Sequence, residues 1–158
     1  MKGFLIAEDT HIVYYWCDAA FTAHLTSLGG ETIEYECNFE SYVLMYFSPV
    51  ILSHHMLKSK LNESCSSIIS HDTTIVFQDY REYVYIGIEK DCIGGKEKLR
   101  RELSFLRNTI GFLLGPCGHN ELKTPEVDFK QRAWQGVTTI LQQYILLCNT
   151  ENSFILEA

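Results

Sequence analysis

Few residues of this chain could do chemistry, and they are scattered. Cys117-Gly118-His119 sets a thiol two residues from an imidazole, the raw material of a Cys–His nucleophile pair. It sits in a Gly/Pro loop with no flanking signature, so a free thiol in a surface loop is the plainer reading. His54-His55 is the other cluster. Helical neighbours point about 100° apart, so the two rings do not share one ion, and both are expected to face solvent or a partner. A zinc site takes about four ligands in characteristic pairs. Here Cys17, Cys37, Cys65, Cys92, Cys117 and Cys148 stand singly, with no CxxC. Gly94-Gly95-Lys96 before a helix has the look of an anion site but lacks GxxxxGK[ST], and reads as a loop ending at a helix start. The expectation is no catalytic residue, no metal and no cofactor.

With no active site to position, charge is the next guide. Thirteen Lys and Arg against twenty Asp and Glu give −7. That argues against a nucleic-acid binder, whose affinity comes largely from neutralising phosphates. A local basic face can coexist with an acidic total, and Lys96, Lys98, Arg100, Arg101 and Arg107 make one helix basic on its outer side. It reads as a solvated face, or as a contact for acidic lipid or an acidic partner. Single, unpaired cysteines and the absence of a cleavage-like leader point to reduced thiols and a cytoplasmic setting. No apolar stretch approaches the ~20 residues a membrane span needs.

At 158 residues the length is that of one domain, large enough to bury roughly 68–70% of its unfolded surface. Gly3–Ala7 and His11–Trp16 read as a hairpin around Glu8-Asp9-Thr10. Asp18 is a candidate N-cap for a short helix to Leu28, ended by Gly29-Gly30. An acidic loop, Glu31–Glu40, precedes a long helix from Tyr42 to Leu61. Ser48-Pro49 within it predicts a kink or a restart, and Asn62-Glu63-Ser64 ends it. Ser66–Ser70, Thr73–Asp79 and Glu82–Glu89 read as strands, with tight turns at His71-Asp72 and Tyr80-Arg81. A helix from Lys96 to Leu114 buries Leu99, Leu103, Leu106, Ile110 and Leu113. A last helix, capped by Thr124, runs to about Cys148, with Phe129, Trp134, Val137, Leu141, Tyr144, Ile145 and Cys148 inward. Counting the short helix with the long one, the order is β-β-α-β-β-β-α-α. This is an α+β fold, a five-stranded antiparallel sheet between one helix and two. Domain 1–150 is followed by the apolar run Ser153–Ala158, expected to lead into a linker or further domain.

The Tyr42–Leu61 helix is apolar nearly all round: Tyr42 to Phe47 is unbroken, and Val50, Ile51, Leu52, Met56, Leu57 and Leu61 follow. A helix lying on one core needs a stripe of roughly 100°. Either the acidic loop covers the second face with Ile33, Tyr35 and Phe39, or that face meets a partner.

The element order is that of longin domains, found in SNAREs, adaptor subunits and Rab regulators. "MKGFLIAEDTHIVYYWCDAAF", "SPVILSHHMLKSKL" and "KEKLRRELSFLRNTIGFLLG" resemble, in order, the amino-terminal longin domain of the Hermansky–Pudlak syndrome one family. The likeness spans nearly the whole chain; the Glu31–Glu40 loop departs from it in length and sequence.

That resemblance implies a heterodimer with a second three-longin subunit, the complex called biogenesis of lysosome-related organelles complex three. It implies exchange-factor activity of the pair toward a Rab GTPase of lysosome-related organelles, and peripheral recruitment to their membranes. It further implies pairing through the Tyr42–Leu61 helix and the Ser66–Ser70 strand. The interface residues expected there are Tyr46, Pro49, Val50, Ile51, His54, Leu57, Leu61 and Ile68. The alternative is an adaptor or SNARE-type longin that folds back on a segment of its own protein.

Overall fold

A computed structural model describes residues 1–29, 39–91, 95–115 and 127–150. Five strands form one antiparallel sheet: β1 (Lys2–Glu8), β2 (His11–Cys17), β3 (Ser67–Ile69), β4 (Thr73–Tyr80) and β5 (Tyr83–Lys90), in the order β2-β1-β5-β4-β3. The hairpins close on left-handed residues, Asp9 at φ 51° and Arg81 at φ 56°. The second turn is Arg81-Glu82, one residue later than its sequence implies, so Tyr80 remains in the ladder opposite Tyr83.

The hydrophobic pattern explains the order. β1 and β5 are buried along almost their whole length, as strands lined on both sides by others must be. They pair with each other, and Lys2 opposite Glu89 adds an ion pair of 3.1 Å. β2 and β3 are left as the edges.

Two helices follow β2, where the reduced element order counted one. α1 (Ala19–Gly29) starts at Asp18. Its Oδ1 accepts from the Phe21 amide at 2.7 Å, and its Oδ2 accepts from the Lys2 amide at 2.8 Å. One carboxylate thus caps the helix and ties it to β1. Gly3 lets α1 come close, since a Cβ there would sit 2.7 Å from the Phe21 ring.

α2 (Phe39–Met56) begins before Tyr42 and runs unbroken through Pro49, so the predicted restart does not occur. Proline has no amide to donate to the carbonyl four residues back. The Ser48 and Ser53 hydroxyls donate to the carbonyls of Leu44 and Pro49, four residues back in each case. One wider π turn, Leu57–Leu61, continues the helix, and Asn62 closes it in the left-handed conformation at φ 52°.

α1 and α2 cover one sheet face, as expected of the first helical layer. Phe21, Leu25, Val43, Phe47 and Ile51 pack on Leu5, Ala7, Phe77, Val84, Ile86 and Ile88. The other face, with Phe4, Ile6, Tyr83 and Tyr85, is buried too.

The chain divides into two compact units, Met1–Lys96 and Glu97–Ala158. In the second, α3 (Gly95–Leu114) buries Leu99, Leu103, Leu106 and Ile110, while Leu113, expected with them, is 39% exposed. α4 (Val127–Thr150) buries Val137, Leu141, Tyr144, Ile145 and Cys148. Phe105 stacks on Tyr144 at 3.7 Å, and Leu113 lies 3.6 Å from where a Cβ on Gly136 would be, so the two helices run antiparallel. The acidic segment 31–38, Cys117, His119, Thr124, Phe129 and the tail 151–158 lie outside the described residues or side chains.

Candidate partner-binding surface

α2 has two apolar faces, and the sheet decides which is which. Val43, Phe47, Ile51 and His54 are buried, with Val50 partly so. Opposite them run Met45, Pro49, Leu52 and Met56, at steps of four, three and four, which is one row of a 3.6-residue helix. Met45 is 57% exposed, Leu52 49% and Met56 41%, with Leu44 and Tyr46 exposed on either flank. The row is interrupted by no charge.

The residues expected at an interface divide between core and surface. Ile51 and His54 belong to the core, at 1% and 4% exposure. Val50 and Leu57 are half-buried, and Val50 packs on the core cluster. Tyr46, Pro49, Leu61 and Ile68 are exposed as expected. Met45, Leu52, Met56 and Leu44, not among the expected residues, are exposed as well. Their signal is the spacing opposite Val43 and Phe47, hidden because both rows are apolar.

β3 extends the surface at the sheet margin. It has only three residues, all paired with β4; Ile68 and Ile69 are exposed, and no strand flanks its other side among the described residues. Cys65, just before it, packs on the cluster that α2 covers.

The end of α2 is anchored by charge. His54 lies flat on Phe77, ring centroids 4.7 Å apart and planes 6° from parallel. Its Nε2 is 3.2 Å from Asp79 Oδ1, and Lys58 Nζ reaches the same oxygen at 3.1 Å. An ionised carboxylate only accepts, so Nε2 donates to Asp79 Oδ1. Nδ1 is buried and has no hydrogen-bond partner among the described residues. A cleft of about 310 Å³ beside it is lined by His54, Lys58, Asp79, Arg81 and Tyr83. His55, half-exposed, also borders this cleft. Among the described residues no three His, Cys, Asp or Glu side chains are placed to hold a metal ion.

The basic residues lie along α3. Lys96 and Arg101 are exposed; Lys98, Arg100 and Arg107 are half-exposed, and Arg100 pairs with Glu97 at 3.2 Å. Cys17, Cys65 and Cys148 are unpaired thiols.

A β-β hairpin, helices crossing one face, a three-stranded meander returning beside β1 and two closing helices form a longin-like order. Residues 3–143 match the family described as the first longin domain of FUZ, MON1 and HPS1. The chain belongs to this family. Within this longin domain the outward row lies on the long helix of the first unit and the short edge strand is β3. No described helix is long and apolar enough to cross a membrane.

Proposed function

We propose that this longin domain is a non-catalytic half of a heterodimeric guanine-nucleotide exchange factor for a Rab GTPase. It pairs with a second longin domain, and the joint surface receives the GTPase. Among the three family names, the collinear sequence likeness favours the Hermansky–Pudlak syndrome one branch. The partner is then the second three-longin subunit of the same complex, and the site of action the membranes of lysosome-related organelles, reached by peripheral recruitment.

The observation that carries this reading is the outward row Met45, Pro49, Leu52 and Met56. Apolar side chains on the solvent side of a helix gain nothing from the domain's own core. α2 is about 27 Å long, and its outer face with the β3 edge suits one partner's share of a standard interface of roughly 1,200–2,000 Å². An unpaired edge is also a template for strand addition.

No acid, base or nucleophile of the chain is needed. Exchange follows from differential binding: the pair favours the nucleotide-free GTPase over the nucleotide-bound one and so shifts its population.

Light scattering of the chain, alone and mixed with the partner's first longin domain, tests this. The expected outcome is a stable one-to-one pair, weakened at least about thirtyfold by Leu52→Asp or Met56→Asp, as for a central interface anchor. A monomer indifferent to the partner would reject the pairing and leave the adaptor reading, with a segment of its own protein on α2.

A further inference from the structure

The charge of this chain is segregated. α3 carries five basic and two acidic side chains, a net +3, which leaves −10 for the rest of a chain whose total is −7. Of the two acids, Glu102 is buried, while Glu97 pairs with Arg100 at 3.2 Å. The solvent side of α3 therefore presents Arg100, in its pair with Glu97, beside Arg101 and Arg107 on a helix whose net charge is +3.

Two of those charges, Arg100 and Arg101, border a shaped site. A groove of about 380 Å³ runs along α3, bordered by Arg100, Arg101, Ser104 and Asn108, with the stacked rings of Phe105 and Tyr144 at its side. Guanidinium, hydroxyl and amide groups can all donate hydrogen bonds to a phosphate or carboxylate. The Glu97 carboxylate also lies on the rim.

Two turns beyond Ser104, roughly 12 Å along the helix, stands Phe112. At 84% exposure it is the most exposed of the large hydrophobic side chains described. It shares a helical row with Arg101, Phe105 and Asn108, at steps of four, three and four. At its neighbour Gly111 an added Cβ would meet nothing within 4 Å among the described residues.

We infer that α3 docks this domain on an acidic phospholipid bilayer, with the groove beside Arg100 and Arg101 taking a lipid headgroup and Phe112 entering the interface. A flat bilayer asks for no matching cavity around Phe112, whereas a folded acidic partner would leave so exposed a ring in need of a pocket. Basic side chains near an acidic leaflet and an aromatic ring at headgroup depth are the combination that holds peripheral helices there. This inference does not depend on the pairing proposed for α2.

The test is flotation of the chain with vesicles of phosphatidylcholine alone and of phosphatidylcholine with about a third phosphatidylserine. Binding is expected only to the second. Arg100→Gln, Arg101→Gln and Arg107→Gln should each weaken it about fivefold, and Phe112→Ser about tenfold or more. All four side chains are at least partly exposed, and circular dichroism should report an unchanged fold. Phe112→Trp should keep binding and add a fluorescence blue shift with acidic vesicles. Equal binding to both vesicle types, or variants that bind like the parent chain, would overturn the inference. So would capture by polyglutamate with no affinity for acidic vesicles, which would assign the face to an acidic protein.

Discussion

Asp79 is the residue on which the end of α2 depends, because His54 Nε2 and Lys58 Nζ converge on one of its oxygens. Asp79→Ala would leave His54 buried with both ring nitrogens unpartnered. A stranded buried polar group costs about 1–3 kcal/mol, and urea unfolding of the variant should show a loss of that size; no loss would mean that His54 finds another partner. Cys17 gives a second reading at this scale. Burial, with the neighbouring Asp18 carboxylate adding, pushes its thiol up to about 12 from 9.0. Tyr15 is pushed up as well, by burial first and then by Glu40 and Cys17. Because the folded protein holds the Cys17 proton more tightly than the unfolded chain, its contribution is complete below about pH 9.0. It is lost as the pH rises toward 12. Unfolding free energies measured across that window should fall with pH, and Cys17→Ala should flatten part of the fall. An identical slope in the variant would show that the thiol takes no part.

At the scale of the element, the start of α1 depends on one carboxylate with two duties. Asp18 caps the helix through the Phe21 amide and holds the Lys2 amide of β1. Asp18→Ala should therefore cost about 2 kcal/mol, the upper end of the range for a lost N-cap, read as a lowered midpoint in thermal unfolding. A cost near zero would mean that the hairpin alone positions α1. This cap was legible in the sequence because Asp before an apolar-periodic run is a local signal. The strands were legible for the same reason, since alternation and turn residues act within a few positions. Even so, the β4–β5 turn slipped by one residue, where Arg81 takes the left-handed conformation. α2 was legible as a helix but not as two faces. Its apolar residues surround the axis, so periodicity is weak, and only the sheet selects Val43, Phe47, Ile51 and His54 as the inner row. His54 misled in a further way. A histidine looks like a surface residue until Phe77 and Asp79, distant in sequence, supply a stacking plane and an acceptor. Ser48-Pro49 looked like a helix start for the same local reason, yet the packing of Phe47 and Ile51 carries the helix through it.

For the whole molecule, the two surfaces differ in their physics, and that difference can be measured. The row on α2 is apolar, and its gain on pairing comes from area removed from water, which salt does not screen. The face of α3 is cationic, and its attraction to an acidic bilayer falls off within a Debye length, about 10 Å at 0.1 M salt and about 3 Å at 1 M. Raising the salt across that range should change the dissociation constant of the longin pair by less than about threefold. The same change should lower affinity for phosphatidylserine vesicles by about tenfold or more. Both quantities can be followed with one fluorescently labelled sample, by anisotropy for the pair and by flotation for the vesicles. A pair that dissociates with salt as steeply as the vesicle complex would remove α2 from the interface, since Met45, Leu52 and Met56 have no charge to screen. Vesicle binding that resists salt would instead assign the contact to Phe112 alone, leaving the arginines of α3 as a solvated face.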